Sequence, residues 1–543
     1  MGNVLPLFVV IPLAGGFLMP LVGRLLKGHK ASAALPILVA ATLLVLAAAL
    51  VADDAGRIVY WVGDWTFPIG ISLVADGLSK LVLLVVLVIS LMALLFSMDY
   101  MQDYTRPGLY YALFMLMLAG MNGVVLAGDL FNIFVFVEVA GISSYALVAF
   151  GTESDELEAS FKYLVLGTIA STFLLVGIAV IYNVTGQLNW DKIAEVIQAG
   201  GGLSLPLYVA AAMFLMGFGL KAAMVPFHAW LPDAHPSAPA PISAMLSGVL
   251  IKACGVYVLA RLVFSVFGAD AALGTVLMVL GVLSMVVGVL MAVGQWDFKR
   301  LLAYHSISQM GYVVLALGAA AVMKAHGVSD AIVALAAFGG LFHLVNHAIF
   351  KSLLFLCSGS VEYATGTRQL KSLGGIGRHM PVTAWCLRIA ALSISGVPPL
   401  NGFWSKLVIV IALVLGGYYT LAAVTVAVSF MTLLSFAKVQ RYILGGKPSP
   451  AAAHAREVPA GMCVASVALA VLCFASSLII LPSVRGGLLA PAIDKVILAP
   501  PAEGATATVQ APAPADPNVQ AHAPDAVDSA LRTPHSALEG AAR

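Results

Sequence analysis

The sequence predicts an all-α polytopic membrane protein, because it is very apolar, carries few charges and repeats apolar runs of helix length. Its 543 residues are 61% hydrophobic and 10% charged, and the mean hydropathy is +1.00. A soluble domain has about 25% charged residues. No large soluble domain fits between the apolar runs, and the net charge of +2, without a basic run, gives no indication of nucleic-acid binding.

A helix needs about 20 apolar residues to cross about 30 Å of hydrocarbon, and windows of that size predict fourteen spans. The first window lacks a basic segment before its apolar part, so it is interpreted as a retained span rather than a cleaved signal peptide. The fourteen windows are centred near Leu13, Thr42, Val86, Met117, Gly141, Leu174, Leu215, Gly248, Leu280, Leu315, Leu344, Ser395, Thr425 and Leu472.

The distribution of basic residues predicts the orientation in a prokaryotic cell (inner) membrane. The even-numbered loops carry few: Arg57, Lys192, Lys324, and Arg261 at a span edge. The odd-numbered loops carry Arg24, Lys27, Lys30, Arg106, Lys299, Arg300, Arg368, Lys371, Arg378, Lys438, Arg441, Lys447 and Arg456. By the positive-inside rule the odd-numbered loops face the cytoplasm and both termini lie outside.

Two predicted spans are interrupted by proline, the seventh at Pro226 and the twelfth at Pro398 and Pro399, and each has a lysine nearby, Lys221 and Lys406. Interrupted spans in corresponding positions are typical of inverted repeats with an ion site between them. The predicted organisation is spans 1–3 (1–108), a first repeat of spans 4–8 (109–264), a second repeat of spans 9–13 (265–442), the last span (443–482) and a Pro/Ala-rich tail (483–543). The tail lacks apolar periodicity and is predicted to be disordered.

Glu138 and Lys221 are charged residues within apolar spans, where a charge costs roughly 3 kcal/mol on insertion scales, so a functional role is the default expectation. The break at Pro226 frees backbone carbonyls and admits water next to Lys221. If Glu138 is near, the lysine keeps its proton; if the carboxylate is drawn away or neutralised, desolvation favours release. The alternative is a structural ion pair that only fixes helix packing.

A second group of titratable residues follows in the eighth, eleventh and twelfth spans. His343, His347 and Lys351 are spaced i, i+4, i+8 and therefore share one helical face. Together with Lys252 they are predicted to relay protons, for which histidine is suited near neutral pH. Lys406, after the second break, is interpreted as an exit gate. Packed histidines and a lysine snorkelling to a headgroup are the alternatives.

Metal and cofactor sites are not expected in this chain. The two histidines lack a third ligand or an HExxH motif. No cysteine pair has CxxC spacing, and no dinucleotide fingerprint or haem motif occurs, so redox chemistry would belong to partner proteins. The five cysteines are Cys254, Cys357, Cys386, Cys463 and Cys473.

Four further charges have less definite interpretations. Asp129 is predicted to cap the fifth span, and Asp233 to cap or link in the loop after the seventh. Lys162 is interpreted as an interfacial anchor, with a position facing the path as the alternative. Arg388, inside the twelfth span, has no assigned role; it snorkels or contacts a partner subunit.

Four motifs resemble a known family: KAAMVPFHAWLPDAHPSAPAPISAMLSGVLIK, DFKRLLAYHSISQMGY, HLVNHAIFKSLLFL and GVPPLNGFWSK. The chain resembles the antiporter-like subunits shared by respiratory complex I, Mrp-type sodium/proton antiporters and membrane-bound energy-converting hydrogenases, over roughly residues 75 to 440. The stretch GDLFNIFVFVEVAGISSYALVA is most similar to the D-type subunit of the Mrp antiporters and its hydrogenase counterparts.

The resemblance implies a fourteen-helix fold with two inverted five-helix repeats. It also implies residue roles, namely a coupling pair of Glu138 and Lys221, a central relay of Lys252, His343 and His347, and a terminal lysine, Lys406. The order of these residues along a path in the membrane plane comes from the family. The Pro/Ala-rich tail and Arg388 depart from the family pattern.

The predicted function is proton translocation as one membrane subunit of a larger complex, with sodium exchange left open. One hypothesis is a cation/proton antiporter of the Mrp D type. The alternative is the ion-pumping membrane subunit of a redox enzyme, either a membrane-bound hydrogenase or a complex-I-like NADH or ferredoxin oxidoreductase. A structural scaffold without transport is a third class, disfavoured by the titratable groups within the spans. The expected partners are other membrane subunits and the lipid bilayer.

Overall fold

Apolar α-helices form nearly all of the computed structural model, which describes residues 2–25, 29–53, 56–66, 69–447 and 449–499. These residues belong to one compact unit, Met1–Ala507. Strands β1 (Ile58–Trp61) and β2 (Ser72–Ala75) form an antiparallel pair in which Ile58 lies opposite Ala75. The first helices are α1 (Leu7–Leu25), α2 (His29–Ala52), α3 (Gly77–Tyr100), α4 (Pro107–Leu126), α5 (Leu130–Val148), α6 (Ser154–Thr185), α7 (Trp190–Ala199), α8 (Leu205–Lys221), α9 (Leu231–Ser237) and α10 (Ala240–Met245).

The remaining helices continue the same alternation of long apolar segments and short links. They are α11 (Tyr257–Arg261), α12 (Ala271–Val293), α13 (Phe298–Ala325), α14 (Asp330–Thr365), α15 (Pro381–Ser395), α16 (Asn401–Leu415), α17 (Tyr419–Ile443), α18 (Pro450–Ala453), α19 (Ala460–Ala475), α20 (Pro482–Leu488) and α21 (Ala490–Ala492). The all-α polytopic class is therefore confirmed.

The described residues contain twelve helical segments long and apolar enough to cross a membrane, and three shorter apolar helices, α8, α15 and α16. If α15 and α16 are the halves of one interrupted span, these segments account for all fourteen predicted centres. The centre near Ser395 falls at the last residue of α15, beside the interruption. The number of spans in a membrane, the repeat boundaries and the orientation of the termini stay predictions.

Burial is graded from the centre of the helix array to its periphery. The apolar window of α13 is 100% buried and that of the segment Ala240–Val266 is 94% buried, whereas the windows of α2 and α17 are each 33% buried. Helices at the periphery present apolar side chains outward, as expected for lipid contact, while the central helices are enclosed by protein. Lys252 and the histidines of α14 thus lie on elements that the rest of the chain surrounds.

The central helix α13 packs very closely against α12 through glycine. A Cβ on Gly281 would lie 2.6 Å from the backbone nitrogen of Leu315, and one on Gly311 would lie 2.5 Å from the carbonyl oxygen of Gly281. Small residues at such contacts let two backbones approach in a membrane protein, where dispersion rather than water exclusion holds helices together. Any larger side chain at these positions would push α12 and α13 apart.

Both predicted interruptions occur in the structure. Helix α8 ends at Lys221, and Pro226 lies in the non-helical link before α9. The link turns at Ala223, whose φ is +54°, and the Trp230 indole donates to the carbonyl oxygen of Leu220 at 2.9 Å. A second side chain, the Ser284 hydroxyl, accepts from the Val225 amide at 3.0 Å.

The second interruption separates α15 from α16, and Pro398 and Pro399 lie in this link. Helix α15 ends with Gly396 in the left-handed region at φ +76°. Asn401, the first residue of α16, donates to the Ser476 hydroxyl at 2.8 Å and accepts from the Ser393 hydroxyl. Side chains from both halves and from the last long helical segment therefore hold the break.

A third irregularity was not predicted. The segment between α10 and the loop before α12 contains three π-helical stretches, Leu246–Leu250, Lys252–Val256 and Leu262–Val266. A π-helical turn shifts the backbone hydrogen bond from i+4 to i+5, and such turns are frequent at functional sites. Here they surround Lys252.

The prediction of an unstructured tail from residue 483 is wrong for residues 483–499. Helices α20 and α21 and a π-helical stretch, Ile493–Leu498, occupy this region. Its apolar side chains recur with helical spacing and are buried, which a prediction based on Pro/Ala content overlooked; they are Leu489, Ile493, Val496 and Ile497. At the end of this region, Lys324 donates to the three successive carbonyl oxygens from Ile497 to Ala499, at 2.5 to 3.2 Å. Residues 500–543 lie outside the described residues.

A buried ion pair joins the start of α3 to the end of α11. Arg261 Nη1 donates to Asp76 Oδ2 at 2.6 Å, Nη2 donates to Oδ1, and Nε donates to the Tyr257 hydroxyl at 3.0 Å. Asp76 also caps α3 by accepting from the amides of Leu78 and Ser79, both at 3.0 Å. Burial raises the pKa of Asp76, but the Arg261 guanidinium outweighs burial and lowers the pKa to about 2.

We expect Asp76→Asn to lower the free energy of unfolding by about 2–3 kcal/mol at neutral pH, because it leaves the Arg261 guanidinium buried without its counter-charge while asparagine still caps α3. Unfolding of the full-length protein in mixed SDS and mild-detergent micelles measures this. Since the folded pKa of Asp76 lies below its ordinary value of 3.8, the difference from wild type should be complete above pH 3.8 and disappear as pH falls through about 2.

The control is Glu195→Gln. Glu195 pairs with Lys192 at 2.8 Å with both side chains about 40% exposed, and exposed pairs contribute about 1 kcal/mol or less. Equal losses from Asp76→Asn and Glu195→Gln would show that the buried Asp76–Arg261 pair stabilises the fold no more than the exposed Lys192–Glu195 pair.

Candidate functional site

Glu138 and Lys221, the pair that the resemblance implies, are in direct contact. Lys221 Nζ lies 3.3 Å from Glu138 Oε1, where the lysine is the last residue of α8 and the glutamate lies in the middle of α5. The Lys221 side chain is 6% exposed and that of Glu138 is 28% exposed. The Ser171 hydroxyl, from α6, donates to the same carboxylate oxygen. The carboxylate is thus the more accessible member of the pair.

An aromatic row holds the Lys221 ammonium from the other side. Lys221 Nζ donates to the Tyr145 hydroxyl at 3.2 Å. The Tyr145 ring meets Tyr163 edge-on at 4.4 Å, and Tyr163 stacks on Trp230 at 4.0 Å with nearly parallel planes. Since Trp230 also binds the carbonyl of Leu220, the row connects the ammonium to the backbone of the helix break.

Lys252 is fully enclosed and donates to the carbonyl oxygen of Ser247 at 2.7 Å. The acceptor lies five residues earlier, in the preceding π-helical stretch. Next to it, the hydroxyl oxygens of Ser247 and Ser306 are 2.6 Å apart, which links this segment to α13. The irregular backbone therefore supplies the oxygen that a buried ammonium needs.

His343, His347 and Lys351 lie along one face of α14, and all three are completely buried. His343 Nδ1 is 3.0 Å from the Ser405 hydroxyl oxygen on α16. Neither ring nitrogen of His347 has a hydrogen-bond partner among the described residues. Lys351 donates to the carbonyl oxygen of Leu302 on α13. The predicted helical face therefore exists, and its residues contact two different helices, α13 and α16.

Lys406 interacts with the second break. Its Nζ donates to the carbonyl oxygen of Ile394 at 2.7 Å and to the Ser429 hydroxyl at 3.3 Å, and it lies 5.0 Å from the centre of the Tyr312 ring. Ile394 is in the last turn of α15, where carbonyls lose their helical partners. Lys406 therefore stabilises the end of α15 and is not a snorkelling residue, since its side chain is buried.

The structure places these residues in two groups. The first is the Glu138–Lys221 contact between α5 and α8. The second extends along α14, which packs against both the π-helical stretch preceding Lys252 and the helix of Lys406. Among the described residues, no side-chain hydrogen bond joins Lys252, His347 and Lys406 directly. Their order along a continuous path stays a prediction.

Sequence reasoning missed several polar residues beside these groups. Tyr145 and Ser171 contact the ion pair, and their hydroxyls carried no sequence signal because tyrosine and serine are common in membrane helices. The His235 and Phe355 rings lie 4.7 Å apart in a tilted arrangement, and His305 Nε2 lies 2.8 Å from the Ser435 hydroxyl oxygen. Both histidines occur in the quoted family motifs and are fully buried, so the motifs could have pointed to them.

The charges given less definite interpretations have identifiable contacts. Asp129 caps α5 by accepting from the Asn132 amide at 2.8 Å, as predicted. Asp233 links three elements through Lys162 and Arg300, each at 3.1 Å. Lys162 is 46% exposed and belongs to this surface network. Within the described residues, no group of three or more His, Cys, Asp or Glu side chains is arranged to hold a metal ion.

Comparison with protein families identifies the region that holds this site. The family described as "NADH:quinone oxidoreductase/Mrp antiporter, TM" matches residues 127–432, and "NADH-Ubiquinone oxidoreductase (complex I), chain 5 N-terminus" matches residues 61–111. The first match contains both groups of buried titratable residues and both helix breaks.

Individual relatives share about a third of the sequence over most of its length. A D-type subunit of a Na(+)/H(+) antiporter from Alkalihalophilus pseudofirmus is 35% identical over 82% of this chain and 88% of the relative. An N-type subunit of NADH-quinone oxidoreductase from Desulforudis audaxviator is 36% identical over 84% of this chain and 89% of the relative. Hydrogenase-4 component B of Escherichia coli is 33% identical over 73% and 61%, respectively.

Solved structures give the same result for the fold. A chain of the Mrp complex from a Dietzia species superposes with a TM-score of 0.81 at 30% identity, covering 90% of this chain and 97% of the other. A chain of an archaeal membrane-bound sulfane sulfur reductase superposes with a TM-score of 0.79 at 29% identity, with the same coverage. The chain belongs to the NADH:quinone oxidoreductase/Mrp antiporter family of membrane subunits.

Proposed function

We propose that this chain is a proton-translocating, antiporter-like subunit of a multi-subunit membrane complex, of the Mrp D type. The observation that carries the proposal is the contact between Glu138 and Lys221 at the end of a helix that breaks within its apolar region. An ionisable pair in such a place is costly, and ionisable residues within membrane helices are typical of ion pathways.

The pair has the properties of a switch. The Lys221 ammonium is enclosed, and its contacts are the Glu138 carboxylate and the Tyr145 hydroxyl. Glu138 is the more exposed partner, so an approaching charge acts first on the carboxylate. When the carboxylate is neutralised or moves away, burial disfavours the charged form of Lys221, and the proton is released at the break.

The released proton is proposed to pass through Lys252, His343 and His347 towards Lys351 and Lys406. Support comes from the complete burial of the two histidines and from His347, whose ring nitrogens have no partner among the described residues. Buried polar groups of this kind are usually hydrated by internal water, which would connect residues that do not touch. The order of the steps follows the family resemblance.

The partners of this chain are proposed to be other membrane subunits. Both of its termini are proposed to lie on the outer side of the cell membrane. A second candidate function is the ion-pumping subunit of a redox enzyme. The relatives named as NADH-quinone oxidoreductase and hydrogenase components, and the likeness to a sulfane sulfur reductase complex, favour this alternative. Exchange of protons for sodium belongs to the antiporter proposal alone.

We expect Lys221→Ala to reduce proton movement to background, because it removes the proton carrier of the switch. The measurement is the decay of a pH gradient reported by a dye in inverted membrane vesicles that contain the native complex. Glu138→Gln should reduce the rate by tenfold or more while the complex stays assembled on native gels. Wild-type rates in the Lys221→Ala variant would remove this lysine from the mechanism.

Lys162→Ala provides the matched control for transport. Lys162 also pairs with carboxylates, Glu158 at 2.7 Å and Asp233 at 3.1 Å, but it lies on the surface. The rate in this variant should stay within about twofold of wild type. A loss equal to that of Lys221→Ala would attribute both effects to assembly.

The energetic coupling of the pair can be measured independently of transport. We expect a double-mutant cycle of Glu138→Gln and Lys221→Gln to give a coupling of about 1–3 kcal/mol in the free energy of unfolding, because the residues touch and Lys221 is buried. The same cycle for Glu158 and Lys162, which are 66% and 46% exposed, should give about 1 kcal/mol or less. Additive effects at Glu138 and Lys221 would contradict a direct interaction in solution.

Partner identification separates the two candidate functions. We expect the complex, purified from native membranes in mild detergent, to contain several membrane subunits identifiable by mass spectrometry, and vesicle proton movement to depend on sodium. Co-purification of iron–sulfur subunits, together with proton movement driven by an electron donor, would favour the redox pump and contradict the antiporter proposal.

A further inference from the structure

Arg388 is a cation within an apolar helix that the proposed proton path does not use. It is the eighth residue of α15, so its Cα lies about 10 Å along the helix from the first residue. Its guanidinium carbon lies 5.0 Å from the centre of the Trp385 ring. Among the described residues, the guanidinium forms no hydrogen bond or ion pair. Five N–H donors on a half-buried side chain thus lack an acceptor within the described part of the chain.

The side chain extends back towards the start of α15. A Cβ placed on Gly377, which precedes the helix, would lie 3.8 Å from Arg388 Nη2. Helical side chains lean towards the helix N-terminus, and long basic side chains use this direction to bring their charge to the membrane surface. The guanidinium therefore lies near the link before α15, beside the half-buried Gly377, and not in the middle of the helix array.

Further basic residues lie on the elements around Gly377. The Gly375 amide donates to the carbonyl oxygen of Gly445 at 2.8 Å, so the link before α15 is attached to the link after α17. These elements carry three exposed cations, Arg378, Arg441 and Lys447. We call the set of Arg378, Trp385, Arg388, Arg441 and Lys447 the Arg388 patch.

A carboxylate at the start of α15, that of Glu457, is bonded to the first turn of the helix. Glu457 accepts from the Val382 amide at 2.7 Å, from the Thr383 amide at 3.3 Å and from the Thr383 hydroxyl at 2.7 Å. It therefore caps α15 instead of pairing with a cation of the patch. The patch therefore holds four cations and the Trp385 indole, which is 63% exposed.

We propose that the Arg388 patch binds the phosphate of an anionic phospholipid. A guanidinium matches phosphate oxygens with two parallel N–H donors. Tryptophan is enriched at the membrane–water interface, and Trp385 offers an apolar surface to the part of the lipid below its phosphate. Clusters of basic residues at the ends of membrane helices are typical sites for anionic headgroups. A soluble phosphate would use the cations but gain nothing from the indole.

The test uses the full-length protein in mild detergent and native mass spectrometry to count bound lipid. We expect dioleoylphosphatidylglycerol to bind more tightly than dioleoylphosphatidylcholine, and Arg388→Gln to weaken phosphatidylglycerol binding about tenfold while leaving phosphatidylcholine binding unchanged. Arg388→Lys keeps the charge but loses the paired donors, so its affinity should be intermediate; it serves as the test if Arg388→Gln does not fold. Inorganic phosphate, titrated in the same way, should bind more weakly than the lipid.

Arg485→Gln is the matched control. The Arg485 guanidinium also lies over an aromatic ring, that of Phe338 at 5.4 Å, but outside the patch. This variant should retain wild-type phosphatidylglycerol binding. Unchanged lipid binding in both Arg388 variants, or equal losses in Arg388→Gln and Arg485→Gln, would overturn the proposal. Inorganic phosphate binding as tightly as the lipid would also overturn it, as would loss of a protein subunit from the native complex without loss of lipid.

Discussion

A buried ammonium needs an oxygen acceptor, and the three lysines Lys252, Lys351 and Lys406 take theirs from backbone carbonyls. Lys252 uses a carbonyl of a π-helical stretch, Lys406 uses the last turn before a break, and Lys351 uses a carbonyl of α13. A backbone carbonyl oxygen has two lone pairs, so it can accept from an ammonium even where it is already bonded within a helix, as in α13. Lys221 is different, since its acceptors are the side chains of Glu138 and Tyr145.

This difference separates Lys221, whose partner can change its charge, from three lysines whose backbone partners cannot. A backbone carbonyl is neutral and cannot lose or gain charge, so it does not itself control whether the lysine keeps its proton. A carboxylate can be neutralised, rotated or attracted elsewhere, and then its lysine loses a full counter-charge in a place with little water. The two kinds of partner therefore explain why the control element of the proposed mechanism lies at α5 and α8, while α14 carries the transfer.

Much of the fold could be predicted from the sequence, because hydrophobic length and proline position are local properties. The apolar windows and the breaks near Pro226 and Pro399 were expected from hydrophobic length and proline position, and the pairing of Glu138 with Lys221 was implied by the family resemblance. The acceptors of Lys252 and Lys351 were not, since π-helical turns and contacts between distant helices leave no local pattern. The Asp76–Arg261 pair joins residues 185 positions apart, and neither residue differs in sequence from an ordinary loop or span-edge charge.

The segment after Pro482 has a consequence for how the chain is made. Its helices pack against α3 and α14. The backbones approach so closely that a Cβ on Gly77 would lie 2.3 Å from the backbone of Pro491. Helix α3 is synthesised early, yet one of its faces is covered by residues that emerge from the ribosome about 400 positions later. During insertion that face must be shielded by lipid, by the translocon or by an assembly factor. This face of α3 can therefore be covered by its own chain only after the segment beyond Pro482 has been synthesised.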